Sequence, residues 1–133
     1  MNVLISIKPK YVEKIISKEK TYEFRRTIFK KEVEKIVIYS TSPEKKIVGY
    51  FKSNKIIKDS PKNLWDDFSK RSGINKEDFF DYFKNKEEGF ALKIDELEIF
   101  SKPIDTNKLR EFSAPQSFKY ITESEMINLV EHI

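Results

Sequence analysis

The apolar and polar positions resolve this chain into short strands and brief helices joined by polar turns. Val3-Leu4-Ile5-Ser6-Ile7 is a β-branched run ended by Lys8-Pro9, and it predicts a strand. Pro9 suits the first turn of a helix, where its missing N–H leaves no hydrogen bond unmade. Tyr11, Val12, Ile15 and Ile16 then recur at helical spacing on one face, with Glu13, Lys14, Ser17 and Lys18 outside. From Thr21 to Arg25 the period changes to two. Tyr22 and Phe24 point one way, and Thr21, Glu23 and Arg25 the other. With the aromatics in the core, the Glu23–Arg25 pair faces a cleft or solvent.

Further along, Lys35-Ile36-Val37-Ile38-Tyr39-Ser40 is a continuous apolar run of the kind buried on both faces, and Thr41-Ser42-Pro43 ends it. Ile47 to Phe51 predicts the next strand, continuing through Ile56-Ile57, and Gly49 inside it marks a bulge or a close backbone approach. Ser60-Pro61 opens a helix as N-cap and first residue, with Leu64, Trp65 and Phe68 inward and Gly73 as its stop. Asn75 caps a second helix carrying Phe79, Phe80 and Phe83. Phe90 to Phe100 reads as one long strand whose alternation slips at Asp95-Glu96. A turn near Lys108-Leu109 and the segment Pro115 to Tyr120 precede a last helix. Thr122 and Glu125 form its capping box, and Met126, Leu129 and Val130 face inward. The expected fold is a single α+β domain over residues 1–133. Its five to six mixed strands close, or nearly close, into a small β-barrel flanked by short helices.

Composition adds constraints on chemistry. There is no cysteine, which excludes disulfides, thiolate catalysis and cysteine-bound zinc. The one histidine, His132, stands at the end of the chain, so neither a histidine metal site nor a histidine dyad is expected. No cofactor or metal is predicted. No apolar stretch is long enough to span a bilayer and no signal-peptide pattern opens the chain, so a soluble, cytoplasmic monomer is the expectation. The net charge is +4, and its placement matters more than its size. Between Lys8 and Lys35 there are ten Lys or Arg and five Glu, a balance of +5, whereas the remainder is close to neutral. Clustered cations of this kind favour a polyanionic partner.

That basic segment also holds the candidate chemistry. Lys20 stands at a strand entrance, with a carboxylate and a guanidinium two residues apart beyond it. Such a group binds a nucleobase edge or a phosphate, or else forms an ordinary ion pair on one strand face. As an ordered set the residues say more. SIKPKYVEKIISKEKTYEFRR, from Ser6 to Arg26, resembles the opening signature of the ASCH domain family, part of the PUA-like superfamily, with Lys20, Thr21, Glu23 and Arg25 at the motif positions. Ile47-Val48-Gly49 and the tail Pro115-Gln116-Ser117-Phe118-Lys119-Tyr120 fit the small prokaryotic type, so the resemblance runs over residues 2–121.

The resemblance implies a nucleic-acid-binding module, with RNA as partner, built on a PUA-like barrel. Its site would be a basic cleft between the first helix and the barrel. Lys8, Tyr11, Lys20, Glu23 and Arg25 would line it, and Gln116, Ser117 and Tyr120 would close it. Arg26 and Lys10 would hold backbone phosphates, and Tyr11 or Tyr120 would stack on an unpaired base. A modified nucleoside is the alternative ligand. Hydrolase activity is the alternative function. A metal-independent ribonuclease would draw on Lys20, Tyr11 and Ser117. A nucleoside amidohydrolase needs a threonine where Glu23 stands, a departure that weighs against it. A third reading is a regulatory protein-interaction module using exposed aromatics of the two middle helices.

Overall fold

The structure, a computed structural model, describes residues 1–131; His132 lies outside them. Strand β1 (Asn2–Ile7) leads into helix α1 (Pro9–Ile16) and then β2 (Tyr22–Arg25), β3 (Ile36–Ser40), β4 (Lys46–Lys52) and β5 (Ile56–Asp59). Helices α2 (Pro61–Phe68) and α3 (Lys76–Tyr82) follow. The chain ends with β6 (Gly89–Lys93), β7 (Asp95–Asp105), β8 (Phe118–Ile121) and α4 (Glu123–Val130).

The strands form a five-stranded sheet ordered β7-β4-β3-β1-β8 and a three-stranded sheet ordered β2-β6-β5. Pairing is antiparallel except between β1 and β3, which run parallel with Val3 opposite Ile36 and Ile7 opposite Ser40. The α+β class and the mixed strands of a small-barrel-like fold match expectation; the strand count does not. There are eight described strands rather than five or six, in two hydrogen-bonded sheets. The difference arises where single strands were expected, from Ile47 through Ile57 and from Phe90 to Phe100; the first is instead β4 and β5, which lie in different sheets. The slip at Asp95-Glu96 is a change of sheet: β6 pairs with β2 and β5, and β7 pairs with β4. Glu96, the second residue of β7, takes a left-handed φ of +46° just after the change.

Both faces of the large sheet are apolar, which is why β3 is buried along its whole length. One face packs Ile5, Ile7, Ile36 and Ile38 against Val12 and Ile15 of α1 and Leu92 of β6. The other packs Leu4, Val37, Tyr39 and Ile47 against Ile104 and Leu129 of α4. Beyond the small sheet, Phe24 and Ala91 meet Leu64, Phe79 and Phe83 of the helical pair. Ile16 and Val130, expected inward, are 46% and 54% exposed, each next to the residue, Ile15 or Leu129, that takes the buried position.

Local signals set the helix ends. The Ser60 hydroxyl accepts from the Asn63 amide, the Asn75 side chain accepts from the Asp78 amide, and Thr122 with Glu125 completes a capping box. Gly49 is demanded by close approach, since a side chain there would collide with the Glu98 carbonyl of β7.

Candidate functional site

The α1–β2 turn creates the site. Lys18 takes a left-handed φ of +68° after α1, and the Lys20 amide returns to the Lys14 carbonyl at 3.0 Å. That closure points the Lys20 side chain inward, where it is 4% exposed. Its Nζ donates to the Ser72 carbonyl at 2.8 Å and lies 3.3 Å from Oε1 of Glu23. The rings of Phe24 and Tyr11 stand 5.1 and 5.7 Å from the same nitrogen. Glu23 spends its second oxygen, Oε2, on Nη1 of Arg25 at 3.2 Å. Nη2 of Arg25 donates to the carbonyl and the hydroxyl of Ser117, at 2.8 and 3.1 Å, and both Nη atoms reach the Ser6 carbonyl.

A buried row of cation, carboxylate and cation thus ties the small sheet to β1 and to the tail. Burial lowers the Lys20 pKa from 10.5, and Glu23 partly restores it. Glu23 is flanked by a cation on each side, so neither of its buried oxygens is left without a partner.

This row floors a cleft of about 820 Å³. Of the residues expected from the sequence, Lys8, Tyr11, Lys20, Glu23, Arg25, Arg26, Gln116 and Ser117 all line it, and so does Lys10. Tyr120 does not. It pairs with Val3 in β8, and its hydroxyl accepts from the Lys30 and Lys31 amides, so it fastens the β2–β3 connection instead. Thr21 also stays out of the cleft; its amide donates to the Arg71 carbonyl and its Oγ1 is buried without a partner.

Sequence reasoning missed two contributors. The first is the segment Arg71 to Gly73, which accepts from the Thr21 amide and the Lys20 ammonium and lays Gly73, at φ +67°, against the Lys20 stem. A non-repeating glycine in a chain with only three was the available signal. The second is α3, which lines the cleft with Asp78, Asp81 and Tyr82, joined by nearby Lys86. Tyr82 is set off the apolar face formed by Phe79 and Phe83, and that offset was readable. Burial raises its hydroxyl pKa, and the hydroxyl accepts from the Arg26 amide at 3.2 Å. The aromatics Trp65, Phe68, Phe79, Phe80 and Phe83 pack together in the core beyond the small sheet, none of them exposed.

A second cavity of about 530 Å³ lies on the opposite face of the large sheet, between α4 and the chain around Phe112. Its floor is Leu4, Ile121 and Leu129, with Lys119 engaged to the Ser113 carbonyl. Among the described residues no group of three or more carboxylates or histidines is placed to hold a metal, and no helix is long and apolar enough to cross a membrane.

Comparison with known proteins agrees with this geometry. Residues 1–123 match the family described as Domain of unknown function (DUF365). An ASCH domain-containing ribonuclease of Zymomonas mobilis is 29% identical over 132 residues, spanning 96% of this chain and 88% of that protein. The crystal structure of ASCH from Zymomonas mobilis superposes with a TM-score of 0.89 at 27% identity, over 98% of this chain and 94% of that one. The N-terminal domain of Staphylothermus marinus McrB shares the fold, with a TM-score of 0.61 at 12% identity over 98% and 93% of the two chains. With the motif residues Lys20, Glu23 and Arg25 assembled on a PUA-like α+β scaffold, this chain belongs to the ASCH domain family and to the DUF365 family matched over most of its length.

Proposed function

We propose that this protein binds unpaired RNA in the cleft between α1, β2 and α3. The observation that carries the reading is the arrangement of charge. Exposed Lys8, Lys10 and Arg26 stand at the rim, above the buried Lys20–Glu23–Arg25 row. Rim cations suit backbone phosphates, whose contacts depend on clustered positive charge, and aromatic groups in the same cleft suit splayed bases. The acidic face of α3 disfavours a second strand, which would bring phosphates against Asp78 and Asp81.

A second reading, RNA cleavage, is favoured by the Zymomonas mobilis relative, whose name is that of a ribonuclease. Lys20 would stabilise the phosphorane formed when the ribose 2′-oxygen attacks the adjacent phosphorus, from which the 5′-oxygen leaves to give a 2′,3′-cyclic phosphate. The cleft has no histidine among the residues lining it, so proton movement would fall to tyrosine or serine hydroxyls such as Tyr11 and Ser117. Amidohydrolase chemistry fits poorly. Glu23 has no hydroxyl, and both its oxygens are engaged by cations.

The test is binding of the purified protein to single-stranded RNA, duplex RNA and DNA at two salt concentrations, with RNA integrity followed on a gel. Tightest binding to single-stranded RNA is expected. Joint replacement of Lys8, Lys10 and Arg26 by Ala should flatten the salt dependence by about two counterions, at roughly 0.7 per phosphate contact on single strands. The same treatment of Lys76, Lys84 and Lys102, which lie outside the cleft, should leave it unchanged. Equal losses from both triples would overturn the cleft. Cleavage abolished by Lys20→Ala would establish the second reading.

A further inference from the structure

Resting on the RNA-binding reading, we infer that α3 is the base-reading wall of the cleft: Tyr82 stacks on an unpaired base, and Asp78 and Asp81 accept from its exocyclic amino group.

Three observations converge on Tyr82. The residue is 37% exposed and lines the cleft, so part of its side chain is open to a ligand. The ring is nonetheless fixed, because the Arg26 amide donates to its hydroxyl and it packs in a T-shaped pair with buried Phe83, with centroids 4.9 Å apart at 73°. A ring immobilised before the ligand arrives loses little rotamer freedom on binding. The other tyrosine of the cleft is less available, since Lys10 lies over the Tyr11 ring at 5.0 Å and Lys20 at 5.7 Å.

The chemistry of the acceptors follows from Glu23. A base bearing an amino group needs a free carboxylate or carbonyl oxygen, and both Glu23 oxygens are committed to Lys20 and Arg25. Asp78 and Asp81 line the same cleft and form no ion pair among the described residues; Asp78 receives one contact, from the Asn75 amide nitrogen at 3.1 Å. Asp78 precedes Tyr82 by four residues, so the two share one helix face. Phosphates drawn to Lys8, Lys10 and Arg26 would turn the base toward that face. Adenine and cytosine offer an amino group to these carboxylates, and uracil offers a carbonyl that they repel.

The experiment measures fluorescence anisotropy of labelled eight-nucleotide homopolymers of A, C and U with the native chain and three variants. Native protein is expected to bind A and C more tightly than U. Tyr82→Ala should weaken A and C about thirtyfold, the middle of what loss of one base–aromatic stack produces. Tyr82→Phe, which keeps the ring, should stay within about threefold of native. Asp78→Asn with Asp81→Asn should level the three homopolymers while raising affinity for U. Thermal unfolding midpoints confirm that each variant is folded. If native protein binds and the Lys8, Lys10 and Arg26 replacements weaken it, but Tyr82→Ala binds like native, α3 is not the reading wall and the RNA cleft survives. Equal native affinity for A, C and U overturns the carboxylate role. Absence of binding to any homopolymer at low salt overturns the RNA reading itself.

Discussion

Glu23 is engaged on both sides, by Lys20 through Oε1 and by Arg25 through Oε2. Its spacing from Arg25 was visible in the sequence, but its partnership with Lys20 across the turn was not, because alternation along a strand says nothing of burial on both faces. Glu23, Phe24 and Arg25 are all buried. Removing the carboxylate would leave two buried cations facing each other. Glu23→Ala is therefore expected to cost about 3–5 kcal/mol in chemical denaturation. Glu23→Gln should cost less and leave base preference unchanged; an altered preference at native stability would make Glu23 a ligand contact. Lys20 supplies a pH signature. Its folded pKa lies below 10.5, so between that lowered value and 10.5 the unfolded chain binds the proton and the folded chain does not. Stability through this group then rises with pH across the window. The stability difference between native protein and Lys20→Met should grow in favour of native as pH enters it. Comparison at matched pH cancels Tyr82, whose raised pKa acts in the opposite sense above 10. A difference that stays constant with pH would contradict the buried lysine.

Among the elements, the Arg71–Gly73 segment does the positioning. It carries no charge pattern or periodicity that marks it as functional, and only contact with a residue fifty positions earlier reveals its role. Gly73 holds a φ of +67° with its Cα against the Lys20 side chain. Gly73→Ala should cost about 1–3 kcal/mol from backbone strain and crowding. It should also weaken RNA binding by displacing Lys20. Native stability and affinity together would show that the segment is dispensable. Capping residues were legible throughout: Ser60, Asn75 and Thr122 act through side-chain bonds to amides two or three residues on, which depend on local order alone. Strand membership was less so. Gly49 and the slip at Asp95-Glu96 were both visible as irregularities, yet whether an irregularity bends a strand or passes the chain to another sheet depends on partners distant in sequence.

For the whole molecule, the α+β class was readable because it rests on short apolar runs, and many of the residues lining the cleft come from the one segment that carries the charge excess. The opposite wall was not, since α3 reaches the cleft only through the packing of Phe79 and Phe83 beneath the small sheet. The tail illustrates both cases. Ser117, just before β8, is in the cleft and bonded to Arg25, whereas Tyr120 within β8 points to the β2–β3 connection, whose Lys30 and Lys31 amides donate to its hydroxyl. Two cavities on opposite faces of the large sheet make the location of the ligand the central question. Amide chemical-shift mapping of isotope-labelled protein titrated with an eight-nucleotide single-stranded RNA answers it directly. Shifts confined to Lys8–Tyr11, Lys20–Thr27, Asp78–Tyr82 and Gln116–Ser117 are predicted. Shifts centred on Lys108–Phe112 and α4, with the cleft undisturbed, would contradict the account.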